Sequence, residues 1–236
     1  MRKRKIFSVL MAAAASASML LAPVVAKADG PARNIVKTYK DLQNLKYEYS
    51  DIEAQTNFGW PSSKTTMNLK NFQLRKSWLI PSQVTVNQNG YMGWSTEDIP
   101  LIIKGKWNIK DINLQGFGNE GYITVDKGGV LAVEKLNNGY CNFKSVQLNK
   151  GGTLNVQGST RADNLTVKSG GIINAREMLS IGDRQVINLE KGAVVNSDNA
   201  WGLRLDGGTL NSDNAVIDGT LSISNGNDKK SHINGT

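Results

Sequence analysis

The sequence predicts an all-β chain, wound as a right-handed, single-stranded parallel β-helix (a β-solenoid) behind a short N-terminal capping helix. Three observations predict it. A phrase built on a turn glycine recurs at Gly128, Gly151, Gly170, Gly192 and Gly207, with gaps of 23, 19, 22 and 15 residues; the next residue is Gly in every copy but the fourth, which has Ala193. Each copy alternates apolar and polar positions on both sides of the glycine, which is strand grammar on either side of a bend. Composition then shifts near residue 115. All five Pro lie at or before Pro100, whereas 19 of the 24 Gly lie from Gly116 onward. A Gly-punctuated, Pro-free stretch suits short paired strands joined by tight turns.

Residues 1–28 have the form of a secretory signal peptide. Arg2, Lys3, Arg4 and Lys5 precede an Ala-rich apolar run that ends in Ala26-Lys27-Ala28, an A-x-A cleavage pattern. The run is too interrupted by Ser and Pro23 to serve as a stable anchor. Five basic residues and no acidic ones leave with it, so the formal charge falls from +8 to 23 − 20 = +3 over 208 mature residues. That balance, with no basic cluster interleaved with aromatics, points away from nucleic acid. No second long apolar span follows, which excludes an integral membrane segment from this reading.

Residues 29–50 read as an N-terminal cap. Ile35-Val36 suits a short strand, and Thr38 suits a helix N-cap with Asp41 near the capping-box position. Tyr39, Leu42, Leu45 and Tyr49 form its apolar stripe. Such a lid protects the open end of a stack of strands from pairing with another chain. Residues 51–115 read as irregular coils. Strand-like pieces fall at Met67–Leu74, Trp78–Ile80, Val84–Val86, Leu101–Ile103 and Trp107–Leu114, with "GWPSSK" and "TEDIP" as loops.

Residues 116–224 carry the regular repeat, apolar-x-apolar-x-x-Gly-Gly-x-apolar-Asn. The position after the last apolar residue is Ala132, Asn155, Asn174, Asn196 or Asn211. The fifth copy fits only if one residue is deleted before Gly207. No single repeat buries its own inward face, so the copies stack, about 4.8 Å apart. Stacked Asn side chains then bond to one another as a ladder along the axis. Helical repeats are excluded by the Gly, Asn, Val and Thr content and the absence of a 3.6 period. An antiparallel sandwich is the competing fold. Residues 225–236 read as a polar tail.

These motifs resemble a family. "NIVKTYKDLQNL" is similar to the strand-then-helix start of pectate-lyase-like right-handed β-helices. "SWLIPSQVTVNQNG" and "LIIKGKWNIKDINLQG" resemble their early coils, and the "GGTLNV" turns resemble coils of bacterial surface adhesins of that fold. The label that fits best is the pectate-lyase-like adhesive domain of Gram-positive surface proteins, over most of residues 34–224. The resemblance implies a fold shared by lyases, hydrolases and adhesins. The calcium-binding carboxylates and basic residue of its enzymes have no matching set on these coils.

Candidate functional residues are few. The single Cys141 excludes an internal disulfide and reads as a buried hydrophobe near Phe143. The single His232 leaves a Ser-His-Asp or Cys-His centre little to work with. "NSDNA" occurs at 196–200 and 211–215. If the coils stack in register, Asp198 and Asp213 lie above one another and offer hard oxygen ligands to Ca²⁺, the one cofactor considered, or share a proton. The same phrase is also ordinary turn chemistry. Asp183-Arg184 is a second carboxylate–base candidate or an exposed turn pair. Lys127, Lys150 and Lys191 form a possible basic stripe along one edge, or simply keep that edge solvated. Trp60 and Trp94, in loops, are candidate platforms for sugar rings, while Trp78 and Trp107 read as core.

The function expected is a secreted, cell-surface-associated adhesin or carbohydrate-binding module without catalysis. Its partners would be a polysaccharide, a cell-wall polymer or a host matrix component, with another chain docking at the C-terminal end. A polysaccharide lyase or glycoside hydrolase, and a stalk or fragment of a larger surface protein, are the alternatives.

Overall fold

The computed structural model divides the chain into two units, 1–32 and 33–236. It describes residues 38, 40, 58–69, 77–89, 100–110, 122–134, 141–182, 184–198, 202–224 and 230–235, and the backbone of 49–52, 71–74 and 92–94. The signal segment lies outside these, as does the expected capping helix apart from Thr38, Lys40 and Tyr49; Tyr49 opens the strand Tyr49–Ile52 instead of closing the helix's apolar stripe. Thr38 forms a parallel bridge with Gly59.

The described residues form a β-solenoid. An eight-stranded sheet stacks Thr65–Leu69, Val84–Gln88, Lys106–Ile109, Val130–Val133, Thr153–Val156, Ile172–Ala175, Val194–Ser197 and Val216–Gly219 in that order. An eleven-stranded sheet takes the returning strands, from Trp78–Ile80 through Pro100–Ile103 and Tyr122–Val125 to Cys141–Leu148 and Thr160–Val167. It then forks. Thr160 and Arg161 pair with Leu179 and Ser180, while Asn164–Val167 pairs with Val186–Leu189. Leu203–Asp206 and Leu221–Ser224 extend one branch; Thr209–Ser212 and His232–Gly235 extend the other. A separate sheet joins Tyr49–Ile52, Asn71–Leu74 and Met92–Trp94. All of these strand pairings are parallel, which rules out the antiparallel sandwich.

The turns explain the glycine pairs. Gly129 N–H donates to Asp126 O at 2.8 Å, Gly152 to Asn149 O at 2.8 Å, and Gly171 to Lys168 O at 2.8 Å. The preceding residue in each turn, Gly128, Gly151 or Gly170, has φ between +74° and +77°. That is a type II turn, whose third position excludes a Cβ at low cost. The turns also stack, because Gly128 N–H reaches Gly151 O at 3.0 Å, and Gly151 N–H reaches Gly170 O at 2.8 Å.

The core is a set of columns one residue wide. Trp107, Leu131, Leu154, Ile173 and Val195 stack in one, and Ile123, Val146, Leu165, Ile187 and Leu210 in another. All ten are buried, each removing an apolar side chain from water at roughly 1.5–3 kcal/mol. An aromatic cluster sits among the early coils. Trp60 stacks on Trp78 at 5.1 Å, and Trp78 meets Trp107 edge-on at 5.9 Å. The core opens at the last described coil, where Val216, Ile223 and Ile233 are each more than half exposed.

Several details depart from the sequence reading. Met67–Leu74 is two strands in different sheets, Thr65–Leu69 and Asn71–Leu74, because the chain turns a corner between them. The polar tail is not wholly a tail, since His232–Gly235 pairs with Thr209–Ser212. The fifth Gly-Gly copy lies at a different corner from the other four. Its 15-residue gap is short of a full coil, so Gly207-Gly208 leads into Thr209–Ser212 of the eleven-stranded sheet. The ladder position above Asn196 is taken by Asp218 instead.

Candidate functional site

The outer face of the eight-stranded sheet carries the expected asparagine ladder. In Thr153–Val156, Leu154 and Val156 point inward and Asn155 between them points out, and Ile172–Ala175 and Val194–Ser197 repeat the pattern. Asn174 Nδ2 donates to Asn155 Oδ1 at 2.8 Å, and Asn196 Nδ2 donates to Asn174 Oδ1 at 2.7 Å. The ladder also runs through the irregular half: Asn108 Nδ2 donates to Asn87 Oδ1 at 2.9 Å, and Asn87 Nδ2 to Asn68 Oδ1 at 3.0 Å. Every bond has the same sense, a later coil donating to an earlier one. Ala132 interrupts the column between Asn108 and Asn155. A second, shorter ladder joins Asn188, Asn211 and Asn234 on the other sheet, at 2.7 and 2.9 Å.

Beside the C-terminal part of the first ladder lies a groove of about 390 Å³, lined by Asn155, Gln157, Asn174, Arg176, Asn196, Asp198 and Asp218. The fold builds it from two columns. Asn155, Asn174, Asn196 and Asp218 are strictly in register. Two residues further along each strand come Gln157, Arg176 and Asp198, at the corner where the chain leaves the sheet. All three are exposed. Arg176 Nε lies 3.7 Å from Asp198 Oδ2. On the far side of the ladder stands a column of Thr153, Ile172, Val194 and Val216. The groove therefore offers side-chain amides at about 4.8 Å intervals, one guanidinium and two carboxylates, next to an apolar margin.

The residues singled out from the sequence are scattered. Asp198 is in the groove, but Asp213 is not above it. The Asp213 amide donates to Leu189 O at 2.9 Å, one coil beyond Glu190, whose amide donates to Val167 O. Asp198 and Asp213 are at different corners, because the two "NSDNA" copies belong to different faces; the stacked pair expected to hold Ca²⁺ does not form. Among the described residues no three His, Cys, Asp or Glu side chains cluster as a metal site. Trp60 is half-buried and packed on the core against Trp78 and Phe58, so it is no open sugar platform. Trp94 ends the strand Met92–Trp94 rather than lying in a loop, and its side chain is outside the described residues. Arg184 is exposed with φ +61°, and Asp183 lies outside the described residues.

Lys127, Lys150 and Lys191 are exposed at the second position of successive turns, and Ser169 interrupts them. The Lys127 and Lys150 stems rest over Gly151 and Gly170 of the next turn. The adjoining column is mixed in sign. Lys104 Nζ lies 3.8 Å from Asp126, and Lys168 Nζ donates to Glu190 Oε1 at 2.5 Å. That hydrogen bond holds the Glu190 carboxyl below its ordinary range. The edge is thus a charged mosaic more than a basic stripe. Cys141 is buried beside Phe143 as expected, and burial pushes its thiol well above the usual range.

Comparison with family models, with curated proteins and with solved structures gives no match for this chain. No described helix is long and apolar enough to cross a membrane.

Proposed function

We propose that this chain is an exported, surface-associated binding module, a right-handed β-helix without catalytic activity whose ligand is a carbohydrate polymer. The right hand is the one that strand–crossover–parallel-strand connections take. The single observation that carries the reading is the groove. Its walls are polar side chains at the spacing of successive coils, with Asn155, Asn174 and Asn196 held by ladder bonds, and the outward column of Thr153, Ile172, Val194 and Val216 runs along the far side of that ladder. Sugar rings need this combination of convergent donors and acceptors with apolar contact. Export is supported by the A-x-A segment at 26–28. The resemblance to pectate-lyase-like surface proteins of Gram-positive bacteria belongs to this proposal, as does docking of another chain on the exposed Ile223 and Ile233 of the last described coil.

One observation favours a second reading. Arg176 shares the groove with Asp198 and Asp218, a base-and-carboxylate set compatible with polysaccharide cleavage. One experiment separates the two. The protein is applied to immobilised glycans over time, alongside a Gln157→Ala/Arg176→Ala double variant, both positions being exposed. Saturable signal that the variant loses supports the binding module. Signal that rises and decays while soluble products accumulate supports the enzyme. Binding that the variant retains in full places the ligand elsewhere.

A further inference from the structure

The ladder has a direction, and its last rung breaks it. In each bond a nitrogen of the later coil donates to an oxygen of the earlier one. Asn196 Oδ1 therefore faces a position that should supply a donor, and Asp218 stands there. A carboxylate supplies only acceptors at neutral pH. No donor among the described residues reaches Asn196 Oδ1, and Asp218 is exposed without an ion-pair partner among them. Asp198, the other carboxylate, is 3.7 Å from Arg176. The groove as a whole carries two carboxylates and one guanidinium, so its formal charge is −1. Its C-terminal end is rich in oxygen and lacks donors.

We infer that the ligand carries a primary ammonium at this end of the groove, and that it is an amino-sugar polymer rather than a neutral or uronic-acid one. This rests on the carbohydrate reading above. An ammonium has three donors and no acceptor, and it completes the ladder by donating to Asn196 Oδ1 and to Asp218. An N-acetylated sugar offers a single N–H there and brings a carbonyl oxygen toward a carboxylate. A uronate brings a second negative charge. The expected +3 of the mature chain does not offset this, because charges more than about 8 Å away are largely screened at physiological ionic strength. The neighbouring rungs keep the amides of Asn155 and Asn174 for ring hydroxyls.

The test is calorimetric titration of the folded, exported chain with three soluble oligosaccharides of equal length. They are built from glucosamine, N-acetylglucosamine and galacturonic acid, and are titrated in EDTA at slightly acidic pH. The glucosamine oligomer is expected to bind about fivefold more tightly than its acetylated analogue, the upper end of what one exposed charge pair supplies. The galacturonate oligomer is expected to bind most weakly. Asp218→Asn should remove the preference, by weakening the glucosamine oligomer and by relieving the repulsion of the acetyl carbonyl. Should that variant fold poorly, the wild type provides a second measure, because its preference should shrink as salt is raised. Equal affinity for the two glucosamine oligomers, or tighter binding of galacturonate, overturns the inference and leaves carbohydrate binding standing. In a separate titration without EDTA, calcium binding that Asp218→Asn abolishes overturns it in favour of a metal site. Absence of affinity for all three removes the carbohydrate reading as well.

Discussion

Replacing Ala132 by asparagine should stabilise the protein, because Ala132 is the one gap in an otherwise continuous column of amides. In register it lies between Asn108 and Asn155. Asn108 is buried, and its Oδ1 has no hydrogen-bond partner, although its Nδ2 donates to Asn87 at 2.9 Å. On the other side, Asn155 accepts from Asn174, and its own nitrogen faces a methyl group. An asparagine at 132 would donate to Asn108 and accept from Asn155, restoring the sense of every other rung. Two such bonds are worth about 2 kcal/mol net. Ordering the new side chain costs about 1 kcal/mol. The balance is roughly 1 kcal/mol of added stability, or about 3 °C in Tm for a domain of this size. The assay is thermal and denaturant unfolding of A132N beside A132V, which fills similar space without an amide. In a double-mutant cycle, Asn108→Ala should remove about half of the gain. An A132N protein no more stable than the parent, or an A132V protein equally stabilised, would refute the ladder argument and leave packing as the explanation.

The turn glycines separate two costs. Gly128→Ala meets no atom within 4 Å but retains φ +77°, so it should cost about 1 kcal/mol from backbone conformation alone. Gly129→Ala puts a Cβ 2.1 Å from Ile103 O and should cost clearly more in the same denaturant titration. Glu190 should titrate below an ordinary glutamate because Lys168 stabilises its charged form. Its folded-state value is depressed, so the stabilisation is present above the unfolded-state value of about 4.3 and is lost as pH falls through the folded one. Glu190→Gln should accordingly lower stability slightly at neutral pH, flatten its decline as pH falls, and leave stability in acid unchanged. Cys141, buried with its thiol shifted upward, should resist a thiol reagent in the native protein and react fully once denaturant unfolds the coil; rapid native labelling would contradict its place in the core.

Much of this architecture was legible in one dimension because a solenoid is nearly one-dimensional. Contacts join each residue to its counterpart about 20 residues away, so alternation, turn glycines and the recurrent asparagine all repeat along the sequence. That is why "GGTLNV" and "GGIINA" announced stacked glycine bends with an asparagine ladder along the axis. The early half of the ladder was harder to see. Asn68, Asn87 and Asn108 follow Met67, Val86 and Trp107 just as Asn155 follows Leu154, but without a glycine pair ahead of them to set the phase. The signal was the apolar-Asn step itself.

What the sequence by itself determined was the coil: strand-forming alternation, bends only glycine adopts freely, and amides positioned to bond along an axis. What only the tertiary structure decided was phase, the question of which repeat stands above which. Gly207 matches the other glycines as text but lies at another corner, since a 15-residue step does not complete a turn. That offset separates Asp213 from Asp198, stacks Asn211 on Asn188, and brings Asp218 above Asn196. Asp218 enters the groove through that same offset, while its other walls are side chains from earlier coils whose alignment depends on the exact length of every turn between them. Local propensity sets the shape of each strand, but register is set by the summed fit of buried columns, and no single repeat contains that information.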